Sequence, residues 1–220
     1  MYIPSIIISA FVLLFAITVH EASHAWTANK LGDPTAARLG RASLNPLVHI
    51  DLVGTIILPA FLIYLSVKTG GQTPVFGWAK PVPYNPYNLR HPRKGGLWIS
   101  FAGPVANLIT ALGGAALYQG FGLNHLQITD PSQLNHPVVG LAIFLESLVT
   151  INISLAFFNL IPIPPLDGSG ILAGLLSDRA AAKFEMLRPY SFILLILLIY
   201  SRLFDILFIP VHKLIRFLLS

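Results

Sequence analysis

The sequence contains no cysteine, which excludes disulfide staples, thiolate metal sites and cysteine nucleophiles. It is also poor in charge. Only 10% of its 220 residues are Asp, Glu, Lys or Arg, against about 25% in soluble domains, so the polar surface needed to coat a globule in water is missing. Carboxylates are scarcer still, nine against fourteen Lys and Arg, for a net charge of +5. The basic residues stand singly among apolar segments, with no basic helix and no RNA-binding signature, so nucleic acid is excluded as a partner. In a membrane chain such an excess marks cytoplasmic loops and anionic headgroups. Internal repeats and low-complexity segments are absent too.

What is present is hydrocarbon. Hydrophobic residues make up 55% of the chain and the mean hydropathy is +0.72. Met1 to His20 and Gly95 to Thr129 carry no Lys, Arg, Asp or Glu, and stretches of that length cross a hydrocarbon core of about 30 Å as helix. The first stretch is not a secretory leader, since it has no basic start and no small-residue cleavage site.

These patterns predict a membrane helix over Pro4 to Asn29 and a polar, turn-rich stretch over Leu31 to Asp51. A second apolar run, Leu52 to Val67, contains Gly54 and Pro59. Thr69 to Arg93 reads as loop, because its prolines forbid a continuous helix. Leu97 to Phe121 is the next span, expected to break early at Gly103-Pro104. Gly122 to Pro137 connects it, without Lys or Arg, to a span over Val138 to Ile161 that ends in Pro162, Pro164 and Pro165. Ser169 to Leu187 reads as a short, partly amphipathic helix. Phe192 to Ile209 crosses, kinks or lies at the interface, with Arg202 and Asp205 spaced to pair.

Chemistry concentrates in His20-Glu21-Ala22-Ser23-His24 at the end of the first span. Residues i and i+4 of a helix lie one above the other, so both imidazoles reach a single metal. Glu21, about 100° round the axis, lies close to a water on that metal without having to ligate. Zinc acidifies such a water and a carboxylate takes its proton. Ordinary interfacial polarity is the plainer reading, but Glu and His buried in a hydrocarbon-facing helix are costly, and a metal supplies the partner they need.

Two histidines leave zinc short of a third protein ligand. Asp33 and Asp51 lie in polar loops, Asp130 and Asp178 in connectors, and Asp205 has Arg202 beside it. Asp167 differs, lying where a span ends in a proline-stiffened segment, Asn159 to Gly168, expected to be extended. Spacing leaves two readings open for Asp167, a metal ligand or the N-cap of the helix near Ser169.

His-Glu-x-x-His together with Asn-x-x-Pro-x-Pro-x-x-Asp-Gly resembles the site-2 protease family of intramembrane zinc metalloproteases. Phe76-Gly-Trp-Ala-Lys-Pro-Val-Pro83, Ala102-Gly-Pro-Val-Ala-Asn107 and Asn45-Pro46 to His49-Ile50-Asp51 agree with its short prokaryotic branch, which has no PDZ domain. The resemblance runs in order from the first helix to Gly168. It implies one Zn2+ held by His20, His24 and Asp167, Glu21 as general base and then proton donor, and Asn159 as a holder of the substrate carbonyl or oxyanion. From chemistry alone Asn159 equally suits a helix–helix hydrogen bond. The resemblance also implies a strand near the active site, over Phe76 to Pro83, that pairs with an unwound substrate; a proline-rich connector is the alternative.

The expectation is therefore an all-α polytopic membrane protein of about four to six membrane helices, counting a re-entrant segment, with a short extended strand near the active site. Residues 1–220 would form one membrane-embedded metalloprotease domain in the cell membrane, cutting transmembrane protein substrates in or near the bilayer. A polar channel lined by Ser23 and Asn159 would admit water. A membrane transporter would need paired charges in several spans, and an oxidase more histidine pairs; neither pattern is present. His49 and Glu146 are left without a role.

Two arguments make Leu52 to Val67 re-entrant or interfacial rather than crossing. With a crossing there, three spans would separate His20 and His24 from Asp167, and an odd number puts them on opposite faces. Without it, Lys30, Arg38, Arg41, Lys68, Lys80, Arg90, Arg93, Lys94, Arg179, Lys183 and Arg188 share one side. That is the positive-inside pattern, with the N-terminus outside and the zinc towards the cytoplasm.

Overall fold

The computed structural model describes residues 3–69, 77–126 and 136–220. Three of its helices are long and apolar enough to cross a membrane: α1 (Ile3–Lys30), α4 (Pro92–Gly120) and α5 (Pro137–Asn159). Between α1 and α4 lie a short α2 (Thr35–Arg38) and α3 (Leu58–Lys68). After α5 come α6 (Asp167–Leu175), α7 (Asp178–Glu185), α8 (Ser191–Ile199) and α9 (Arg202–Leu219). The stretch Asp178–Ile199 meets α9 at a bend of 71°, and the two make a fourth span if taken together. The expected all-α membrane architecture is present, at the low end of the expected number of spans.

α1, α4 and α5 pack on one another as a bundle. α1 meets its neighbours through Ala16, Ala22, Ala25 and Ala28, all fully buried; small side chains let helix backbones approach closely where lipid provides no hydrophobic drive for association. Val12 joins Leu123, Ala142, Leu145 and Leu148 near one end of the bundle, and Ala28 joins Leu89 and Ile99 near the other. Large apolar side chains such as Ile7, Phe11, Ile109 and Leu112 remain exposed round the outside, as suits a surface facing lipid rather than water.

The apolar run after Asp51 makes no net crossing. Asp51 caps it by accepting from the N–H groups of Val53 and Gly54 at 3.1 and 2.7 Å. The run is wound as a π-helix over Leu52–Ile57 and then as α3. By Trp78 the chain is back at its start, since the Trp78 N–H donates to the Gly54 carbonyl at 3.1 Å. The Trp78 carbonyl in turn accepts from the Thr55 hydroxyl at 2.9 Å. Gly54 and Trp78, on either side of the run, therefore lie together.

Four local expectations need correction. Gly103-Pro104 does not break α4, which runs on through Pro104; Pro104 is fully buried, and neighbouring helices shield the carbonyl that a proline frees. Leu160 to Leu166 is a tight turn rather than an extended segment, closed by Leu166 N–H to Ile163 O at 2.9 Å. Ser169 to Leu187 is two helices, because Ser177 restarts the chain as an N-cap, its hydroxyl accepting from the Ala180 N–H at 3.4 Å. Arg202 and Asp205 are exposed and form no ion pair among the described residues, consistent with how little a solvated pair gains.

The expected strand is likewise not formed among the described residues: positions 77–85 are irregular, and Phe76 lies outside the described residues, as do Asp130 and positions 127–135 of the connector. The Gln119 amide at the far end of α4 donates to Leu218 O at 3.0 Å, so Lys213 and Arg216 lie towards the end of the bundle away from Lys30.

Candidate metal centre

α6 docks on α4 through Gly170 and Gly174. A Cβ at Gly174 would lie 2.6 Å from Leu97 Cβ, and one at Gly170 would collide with the Ser100 hydroxyl. This close approach carries Asp167, the first residue of α6, against the last third of α1. There Asp167 Oδ2 is 2.9 Å from His20 Nε2 and 3.3 Å from His24 Nε2. The two imidazoles stand edge to face with centroids 4.7 Å apart. One ligand atom from each of His20, His24 and Asp167 falls within 4.8 Å of the others, and both histidines are buried.

The imidazoles are held from behind through Nδ1. His20 Nδ1 lies 2.6 Å from Asn107 Oδ1, and His24 Nδ1 lies 2.6 Å from the Ile99 carbonyl. Both partners are acceptors, because the Asn107 amide nitrogen is itself committed as a donor to Ala16 O at 3.0 Å and Asn152 Oδ1 at 2.8 Å. Each Nδ1 therefore carries a proton, and each Nε2 faces Asp167. Asp167 Oδ2 is buried without a hydrogen-bond donor. With both Nε2 atoms deprotonated, their lone pairs and that of Oδ2 converge on one point. A cation fits that set, and two imidazoles with one carboxylate are a ligand set suited to zinc. The outward-facing ring nitrogens are held as those of metal-binding histidines usually are.

Gly103 makes the room. A Cβ there would lie 2.6 Å from both Nε2 atoms, so the α4 backbone passes directly over the imidazole edges.

Glu21 lies beside the cluster, half-buried, and its Oε2 accepts the backbone N–H of Val82 at 3.1 Å. The strap that brings Val82 there is clamped on both sides. Arg41, itself buried, donates to the carbonyls of Val48, Lys80 and Pro81, the last at 3.1 Å, and the Lys80 N–H donates to His49 O at 2.9 Å. Further along, fully buried Asp33 accepts from the Asn85 N–H and the Asn88 amide, each at 2.7 Å, and from Thr35. Burial alone would push the Asp33 carboxyl up, but hydrogen bonds from Asn88, Thr35 and Asn85 outweigh it and hold the carboxyl below its ordinary range.

Asn159 has no hydrogen bond to the cluster among the described residues. Its amide nitrogen donates to Leu155 O, one turn back in α5, at 3.0 Å. Ser23 likewise donates to Val19 O at 2.7 Å. The N-cap of α6 is Leu166, not Asp167. His49 is buried in the loop, donating Nε2–H to Ser43 O at 2.9 Å, and Glu146 is exposed on α5. Sequence reasoning passed over Asn152 entirely. A buried Asn on an apolar helix was the available signal, since such a side chain needs a partner.

Comparison with known proteins agrees with the centre. The profile described as Peptidase family M50 matches residues 8–199. "Putative zinc metalloprotease YwhC" of Bacillus subtilis is 36% identical over 189 residues, 84% of this chain and 77% of that protein. "Putative zinc metalloprotease Rip2" of Mycolicibacterium smegmatis is 28% identical over 186 residues, 84% of this chain and 64% of that protein. No solved structure gives a match. With a buried His-His-Asp set between helices long enough to span a bilayer, and a profile match over most of its length, the chain belongs to peptidase family M50 as a multi-pass zinc metalloprotease.

Proposed function

We propose that this protein is an intramembrane endopeptidase that hydrolyses peptide bonds in or near the transmembrane segments of other membrane proteins. It acts as a single membrane-embedded domain in the cell membrane, with its site towards the cytoplasm. The observation that carries the reading is the position of the ligand set: His20 and His24 are buried within a helix long enough to cross the bilayer. A scissile bond must reach them from beside or within the lipid. A transmembrane helix must unwind to be cut, because its carbonyls are otherwise bonded internally.

In this reading His20, His24 and Asp167 hold the ion, each through one ligand atom. Zinc, when bound, supplies a Lewis acid that activates water and polarises a carbonyl. Glu21 takes the proton from water and passes it to the departing amine. Its Oε2 is already engaged by the Val82 N–H, which fixes the carboxylate plane and leaves Oε1 to handle the proton. Asn159 serves the developing oxyanion once its amide turns from Leu155 O towards the substrate; a neutral amide can stabilise that charge without titrating.

Two variants test the assignment. Glu21→Gln should lose cleavage of a transmembrane model substrate in liposomes while keeping one zinc per chain. Asp167→Ala should lose zinc. Near-wild-type turnover by Glu21→Gln would remove the general-base role, and full zinc in Asp167→Ala would mean another third ligand. Equal cleavage of a soluble, unstructured peptide and the membrane substrate would place the activity outside the bilayer.

A further inference from the structure

A second site lies at the end of the α1–α4 contact, where α1 ends and α4 begins. A cavity of about 280 Å³ is lined by Lys30, Arg90, His91 and Lys94. All four side chains are exposed, and no acidic residue lines the cavity. Among the described residues none of these four side chains has a hydrogen-bond or ion-pair partner. Arg93, one residue away from Lys94, does: it pairs with Asp178 at 2.8 Å. The chain thus neutralises a neighbouring cation and leaves three permanent charges and a histidine gathered round one cavity. Like charges held together repel unless an anion joins them.

We propose that this cavity binds the phosphate of an anionic membrane lipid. Depth selects a lipid over a soluble anion. Lys30 is the last residue of a membrane-spanning helix and Pro92 the first of the next, so the cavity lies at the level where headgroups lie. Its other lining is apolar. Leu89 is buried in the cluster with Ala28 and Ile99, against which Leu31 packs. Trp98 is exposed on the flank, with Phe101 edge-on to it at 6.3 Å on the next turn of α4. An indole at that depth suits the glycerol and upper acyl region, while two ammonium groups and a guanidinium suit the several acceptor oxygens of a phosphate. Basic pockets between membrane helices on the cytoplasmic side are a general form of lipid-headgroup site. The site is independent of which peptide bonds the enzyme cuts.

The test uses the full zinc-loaded chain in neutral detergent, offered equal amounts of phosphatidylglycerol and phosphatidylcholine of matched acyl chains and read by native mass spectrometry. Wild type should retain phosphatidylglycerol preferentially. The triple variant Lys30→Gln/Arg90→Gln/Lys94→Gln should bring the two lipids near parity, a fall of about fivefold per charge removed. Arg179→Gln/Lys183→Gln, which removes two exposed charges of α7 outside the cavity, should keep the preference. Zinc content and helicity report whether the triple variant is folded; if it is not, Arg90→Gln alone should weaken the preference. An unchanged preference in a folded pocket variant overturns the site, and so does an equal loss in the α7 variant. If millimolar inorganic phosphate raises the melting temperature of wild type but not of the pocket variant, and phosphatidylglycerol shows no preference, the lipid assignment fails and the cavity is a free-phosphate site.

Discussion

The backbone N–H of Val82 is 3.1 Å from Oε2 of Glu21, and it is the only backbone donor between Lys80 and Tyr84, because Pro81 and Pro83 have none. Val82→Pro deletes that donor while keeping an extended backbone. It should slow cleavage by about tenfold or more, the worth of a charge-assisted hydrogen bond, with zinc content unchanged. Val82→Ala keeps the N–H and should stay within about twofold of wild type. Equal rates for the two variants would show that Glu21 needs no such support.

Asn107 binds His20 Nδ1, Ala16 O and Asn152 Oδ1 at once. Asn107→Leu should weaken zinc binding by about 10- to 100-fold, the usual effect of losing a residue that orients a ligand, measured by competition with a chelator. Asn152→Ala leaves Asn107 its other two bonds. It should therefore lower thermal stability more than it lowers zinc affinity.

Gly103→Ala places a methyl group 2.6 Å from both imidazole Nε2 atoms. Zinc should be lost or weakened by at least about tenfold, as misplaced ligands dictate, while far-UV helicity is retained. Gly113→Ala, in the same helix and with nothing within 4 Å of the added Cβ, is the matched control and should bind zinc normally.

Asp33 carries a pH dependence whose sign follows from its hydrogen bonds. Its folded carboxyl lies below the ordinary value of 3.8, so the folded state favours the ionised form. That stabilisation is complete above 3.8 and is lost as pH falls through the lower, folded value. The melting-temperature gap between wild type and Asp33→Asn should be constant from pH 7 down to about 5 and shrink below 4. A gap that widens with acid would reverse the assignment.

Single cysteines at Ser43 and Gln72 should label from the cytoplasmic face, and one at Ser132 from the other face, Gln72 and Ser132 lying outside the described residues; the chain has no native thiol to interfere. Labelling of Ser43 and Gln72 from opposite faces would mean that the run between them crosses the membrane, contrary to the return of Trp78 to Gly54.

Much of this is legible in the sequence, for reasons that differ from residue to residue. Two of the three spans follow from runs without charge and the third from an apolar run interrupted only by Glu146, and His20 with His24 follow from helical periodicity. Asp167 cannot be chosen from spacing, because an N-cap and a ligand look alike until the turn after α5 is built. The turn itself is hidden: prolines at 162, 164 and 165 forbid helix but do not say whether the chain extends or folds back. Gly103-Pro104 misleads in the opposite sense, since a helix-breaking pair in water becomes a smooth surface for two imidazoles when neighbouring helices enclose it. The Asn107–Asn152 bond joins two helices far apart in sequence, and only packing reveals it.

The docking of α6 on α4 through Gly170 and Gly174 also bears on how the enzyme is made. α1 leaves the ribosome with two ligands, but the third arrives on a short helix whose seat is a later span. Until α4 and α5 have been inserted and α6 has settled on them, the nascent chain has a half-site that holds metal weakly. The ligand set is therefore incomplete in any nascent chain that stops short of α6, and full metal coordination waits for it.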